Sequence, residues 1–123
     1  MNRNRIFTRD EVHHIVAENE QRRSKLLTLD VIRWCDLPWP MLRKPETPED
    51  ITLGGIDGYV RNPYHPEQGR SERDRVKDHI KYWHPDRFET KLLPRVPEEE
   101  QEMVKTGAGI VARTLNELMS SVG

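Results

Sequence analysis

Apolar positions follow two helical rhythms, separated by a stretch that obeys neither. Val12, Ile15, Val16, Leu26 and Leu27 recur at helical spacing and predict a long helix over about residues 9–27. Thr8 with Glu11 three residues on reads as its capping box. Between Glu18 and Lys25 the stripe gives way to polar residues, a face either solvated or covered by a partner. Further on, Val76, Ile80 and Trp83 share one face of a helix over residues 71–83, opened by Ser71 and Asp74. Val104, Ala108, Val111, Leu115, Leu118 and Val122 alternate by four and three, a heptad-like seam over residues 98–121. Pro97 and the acids Glu98, Glu99 and Glu100 suit the positive end of that helix. The two C-terminal helices are expected to pair as an antiparallel hairpin. Residues 84–97 form the loop between them, bounded by Pro85 and Pro97 and anchored by Phe88, Leu92 and Leu93.

Residues 28–70 break both rhythms. Six prolines and four glycines punctuate them, which predicts an irregular connecting segment with no long helix. Yet Val31, Ile32, Trp34, Leu37, Trp39, Met41, Leu42, Tyr59 and Tyr64 are too apolar for a free tether. Trp34 and the extended run Asp36-Leu37-Pro38-Trp39-Pro40 need a surface to cover the indoles. Either they pack on the chain's own helices, or they form a docking strip for another protein.

The expected fold is therefore mostly α. At 123 residues the length suits one domain, divided into a helix to residue 27, a Trp/Pro segment over 28–70 and a helical hairpin over 71–121. With 34% hydrophobic and 33% charged residues, a small core is expected, with part of the chain ordering only against a partner. Net charge is −1, so no global attraction to nucleic acid or an acidic membrane is expected. Locally, eight basic side chains face five acidic ones over residues 70–95, and two face five over residues 98–123. Opposite signs help the hairpin close and leave a basic stripe of Arg70, Arg73, Lys77 and Lys81 on the first of its helices.

Little points to catalysis. Cys35 is the single cysteine, so no internal disulfide or CxxC zinc pair can form, and a reducing compartment is expected. His79 and His84 lie five apart, where helical metal pairs use four, and no catalytic residue, metal or cofactor is expected. The glycines of Lys105-Thr106-Gly107-Ala108-Gly109 sit within a helical seam, not between a strand and a helix. Close approach of Trp83 or Phe88 to the backbone explains them better than a phosphate cradle does. Residues 1–5 lack the apolar core of a secretory signal, and no apolar run approaches a membrane span.

The chemistry concentrates at Lys81-Tyr82-Trp83-His84-Pro85-Asp86-Arg87-Phe88. Pro85 ends the first hairpin helix and fixes a corner, with an imidazole and a carboxylate at its apex. Helix, His-Pro-Asp, connection, helix resembles a J-domain, the module by which co-chaperones recruit Hsp70 chaperones. That resemblance covers residues 71–121 and implies a protein-interaction module, not an enzyme. It implies contact with an Hsp70-type chaperone through His84, Pro85, Asp86, Arg87, Lys77 and Lys81, with Arg73 in the same basic stripe. The Tyr- and Leu-bearing helix that precedes these elements in the family is expected to be missing, because residues 50–69 are rich in proline and glycine.

The order Asp36-Leu37-Pro38-Trp39-Pro40, then Trp83-His84-Pro85-Asp86-Arg87-Phe88, then Leu115-Asn116-Glu117-Leu118 is similar to the C-terminal part of the NF-kappa-B inhibitor-like protein 1 family. That similarity implies a short relative without ankyrin repeats. It also implies a second role, as a scaffold subunit of a nuclear mRNA-processing (spliceosomal) complex. In that role Trp34 and Trp39 dock on ribonucleoprotein subunits, and Hsp70 plays no part. The expected location is the nucleus or the cytoplasm, with no direct contact to nucleic acid and no membrane.

Overall fold

A computed structural model describes residues 6–122, and the reading of residues 1–5 lies outside it. The fold is mostly helical, with no strand among the described residues. Its elements are α1 (Arg9–Lys25), α2 (Leu53–Val60), α3 (Glu72–Tyr82), the single turn α4 (Pro85–Arg87) and α5 (Glu98–Ser121).

The α5 helix is the axis of the core. Every member of its predicted seam, from Val104 to Val122, is buried. α3 packs against it through Val76 and Trp83, and α2 through Ile56, Tyr59 and Val60, all buried in one cluster. α1 begins at the predicted capping box: Glu11 N–H donates to Thr8 Oγ1 at 3.2 Å, and Thr8 N–H to Glu11 Oε1 at 2.8 Å. Val12, Val16 and Leu26 are buried as expected, whereas Leu27 is exposed.

The polar middle of α1 is largely solvated, and three of its residues, Asn19, Arg22 and Arg23, turn inward onto the chain itself. Asn19 is buried and donates through Nδ2 to the Trp39 carbonyl and to Tyr59 Oη, both at 3.2 Å. Arg22 reaches the Cys35 carbonyl at 2.8 Å, and Arg23 reaches Asp78 at 2.8 Å. Burying a polar side chain is tolerable only when its donors are matched, and here each finds an acceptor in a distant segment.

Two expectations need correction. Residues 53–60 form a helix despite their three glycines. Thr52 Oγ1 accepts the Gly55 N–H at 3.0 Å as N-cap, and burial of Ile56, Tyr59 and Val60 offsets the poor helix propensity. A helix therefore does precede α3. Residues 84–97 are not a plain loop either. After α4 they wind through a wide π turn at Phe88–Leu92 and a tight 3-10 turn at Leu93–Arg95. Burial of Phe88 and Leu92 holds this winding.

The Trp/Pro segment is wrapped onto α5. Trp34 N–H donates to Glu100 Oε1 at 2.9 Å, and Arg33 pairs with Glu100 Oε2 at 2.8 Å. The backbone bond from Trp34, with Arg33 beside it, holds the Glu100 carboxyl below its usual range. Trp34 and Trp39 are only 7% and 4% exposed. Their indole N–H groups donate to the Pro45 carbonyl at 2.7 Å and the Trp34 carbonyl at 3.0 Å. The docking-strip alternative is corrected here: both rings belong to the core, because each finds its polar partner and its apolar cover within the chain.

Their packing explains one glycine of α5. Trp34, Trp39, Trp83 and Phe88 form a column, with successive ring centroids 4.3, 5.1 and 5.6 Å apart. A Cβ on Gly107 would lie 2.8 Å from the Trp34 ring and 3.0 Å from Trp39. Close approach is the reason, as expected, but Trp34 and Trp39 make it rather than Trp83 or Phe88. A Cβ on Gly109 would meet only Arg113 Nη1, at an ordinary 3.5 Å.

Candidate functional site

The corner after α3 is built from the inside outward. Trp83 caps α3 at its C-terminus, its N–H bound to the His79 carbonyl at 2.9 Å. Pro85 cannot extend that helix, lacking an N–H, and instead starts α4. His84 sits between them in extended backbone as the N-cap of α4. Its Nδ1 accepts the Asp86 N–H at 3.2 Å. A neutral imidazole used this way carries its proton on Nε2. Trp83 and Phe88 are buried beneath, while His84, Pro85 and Asp86 are exposed. Among the described residues nothing pairs with the Asp86 carboxylate. The tip therefore offers one donor and one carboxylate acceptor to an incoming surface.

Arg87 is placed differently from its neighbours. Its Nη1 donates to the Tyr82 carbonyl at 3.0 Å, and its guanidinium lies 4.4 Å from the Tyr82 ring centroid. Arg23 of α1 covers the same ring at 4.1 Å. Tyr82 is thus in contact with two guanidinium groups, each a favourable cation–π contact, and Arg87 is held against α3 as part of the corner. Arg23 carries no mark in the local sequence. It lies far up the chain, within the polar middle of α1, and only the fold brings it to Tyr82.

Along α3, Arg73, Lys77 and Lys81 are exposed one turn apart. No ion pair involves any of the three among the described residues. Arg70 departs from this row, lying 3.5 Å from Glu67 and donating to the Asp74 carbonyl. Asp78, which interrupts the stripe in sequence, is engaged by Arg23. Burial would raise its pKa, but the Arg23 hydrogen bond and charge prevail and hold it low. The net result is a row of three free cations running toward the tip.

The other face of α3 is buried more widely than its three-residue apolar stripe implies. Arg75 is only 3% exposed and donates to the carbonyls of Val60, Glu67 and Arg70, at 2.9, 3.1 and 3.0 Å. It ties the end of α2 to the connection leading into α3. His79 packs edge-on to Tyr59, and its Nδ1 is a buried atom with no partner. Burial, reinforced by Arg23, pushes its pKa down to about 4. Tyr59, desolvated on the same side, is pushed up to about 12 against the opposing hydrogen bond from Asn19. These groups tie α3 to α2 and its following connection, and none hydrogen-bonds or stacks with the tip.

The tip also borders an open groove of about 490 Å³ between the corner and α5. Neither histidine nor cysteine lines it, and no group of three metal-ligating side chains occurs among the described residues. No described helix is long and apolar enough to cross a membrane.

Fold and tip together define a mostly helical chain that presents an exposed polar corner beside a basic helix face. Comparison with family models, with curated proteins and with solved structures gave no match.

Proposed function

We propose that the chain is a non-enzymatic interaction module that engages an Hsp70-type chaperone in the manner of a J-domain. The observation that carries this reading is the joint exposure of His84, Pro85 and Asp86 beside a row of free cations at Arg73, Lys77 and Lys81. The cations steer an acidic surface by long-range attraction. Asp86 then meets an arginine on the partner, a charge-assisted contact worth about 1.5–3 kcal/mol once desolvated. Arg87 serves by stiffening the corner. The presence of α2 ahead of α3 also favours the reading, since J-domains carry a helix there. The scaffold reading through Trp34 and Trp39 has less support, because both indoles are buried in this chain's own core.

The test is ATP turnover by an Hsp70-type chaperone with the wild-type chain, with His84→Gln and with Asp86→Asn. Wild type should accelerate turnover, and either variant should lose roughly 10-fold or more in apparent affinity. Equal, unstimulated rates for all three would remove the proposal.

A further inference from the structure

The basic row on α3 is free because a carboxylate beside it is answered from another helix. Asp78 follows Lys77 by one residue and precedes Lys81 by three, a spacing at which helical side chains can pair. Among the described residues it pairs with neither. Its Oδ2 accepts a hydrogen bond at 2.8 Å from Nη1 of Arg23 on α1, 55 positions up the chain. The Tyr82 ring, with its centroid 4.1 Å from the same guanidinium, fixes where that charge sits. Glu20 shares the guanidinium from 3.8 Å, in the longer and more exposed of the two pairs.

Stability alone explains the pair poorly. Asp78 keeps 39% of its side chain exposed, and water screens such a pair until little net stabilisation is left. The consequence for charge is larger. Without Arg23 the carboxylate would stand uncompensated beside Lys81 at the tip end of α3. There it would cancel part of the field that draws in an acidic partner.

Resting on the chaperone reading above, we propose that Arg23 is a positioning residue for the contact with the chaperone. It acts through Asp78, compensating that carboxylate so that Lys77 and Lys81 present uncancelled positive charge beside His84-Pro85-Asp86. The guanidinium is half-buried against Tyr82 and does its work without touching the partner. The interaction surface is thus completed by α1, a helix outside the hairpin that carries the tip.

The experiment measures binding of an ATP-bound Hsp70-type chaperone by calorimetry, with a thermal melt of each variant. The chains compared are wild type, Asp86→Asn, Arg23→Gln, Asp78→Asn and the double variant Arg23→Gln/Asp78→Asn. Glutamine can still donate to Asp78 but carries no charge, so Arg23→Gln should stay folded and bind about 5-fold more weakly. The double variant should recover that loss. The gap between wild type and Arg23→Gln should narrow as salt rises toward about 1 M, where the screening length falls to about 3 Å. Asp78→Asn leaves α1 unaltered and should bind at least as tightly as wild type. A double variant as weak as Arg23→Gln, a gap that salt leaves unchanged, or weaker binding by Asp78→Asn would each overturn the proposal. If Asp86→Asn abolishes binding while Arg23→Gln binds as wild type does, the role of Arg23 falls and the chaperone reading stands. If wild type itself does not bind, the chaperone reading falls and takes the role of Arg23 with it.

Discussion

Replacing Gly107 with alanine adds one methyl group at the tightest point of the core. The new Cβ would sit 2.8 Å from Cη2 and Cζ3 of Trp34 and 3.0 Å from Cη2 of Trp39. Carbon atoms pack at about 3.5–4.0 Å, so something must move by close to 1 Å. The Trp34 ring cannot retreat freely. It lies tilted against Trp39 with ring centroids 4.3 Å apart, and its N–H is committed to the Pro45 carbonyl at 2.7 Å. Overpacking of this kind costs about 1–3 kcal/mol, while alanine returns about 1 kcal/mol of helix propensity. The net expectation is a loss of up to about 2 kcal/mol, or about 4 °C in melting temperature per kcal/mol at this chain length. Gly109→Ala is the internal control. It gains the same propensity without a clash, so it should raise stability by up to about 1 kcal/mol. Urea unfolding followed by tryptophan emission, with helix content followed in parallel, measures both. Two substitutions, two residues apart on one helix, should thus shift the midpoint in opposite directions. A Gly107→Ala variant as stable as Gly109→Ala would show that the indole column does not bear on α5 as described.

Acid should weaken the fold through His79. Its folded pKa of about 4 lies below the ordinary 6.5, so its contribution is complete above about pH 6.5 and is lost as pH falls toward 4. The amount is about 2–3 kcal/mol, and His65, also lowered by burial and then by Arg75, adds in the same direction. Unfolding midpoints between pH 7 and 4.5 should fall less steeply for His79→Phe than for wild type. Arg75→Met removes the donor that three backbone carbonyls share, and should cost about 2–4 kcal/mol. Faster amide exchange in residues 61–71, with α5 protected as before, is the expected signature.

Much of this molecule can be read from local pattern, because helices are made by near neighbours. The capping box at Thr8, the seam from Val104 to Val122, the start at Ser71 and the corner at Pro85 each depend on residues within a turn or two. The exposed tip belongs with them, since a proline after a helix end dictates its own break. What misled was local as well. Glycines and prolines over residues 50–69 argue against a helix, yet α2 forms because burial of Ile56, Tyr59 and Val60 outweighs propensity.

Tertiary structure alone decided where the polar residues of α1 go, and whether the two tryptophans face inward. Asn19 meets Trp39 and Tyr59, and Arg23 meets Asp78 and Tyr82, across 20 to 59 positions of chain. No periodicity encodes such a meeting. A buried donor is stable only beside an acceptor that a distant segment delivers, so its fate is fixed when the segments pack and not before. The same reason separates Gly107 from Gly109. Neighbours in sequence, they differ only in that one faces two indoles and the other faces an open groove.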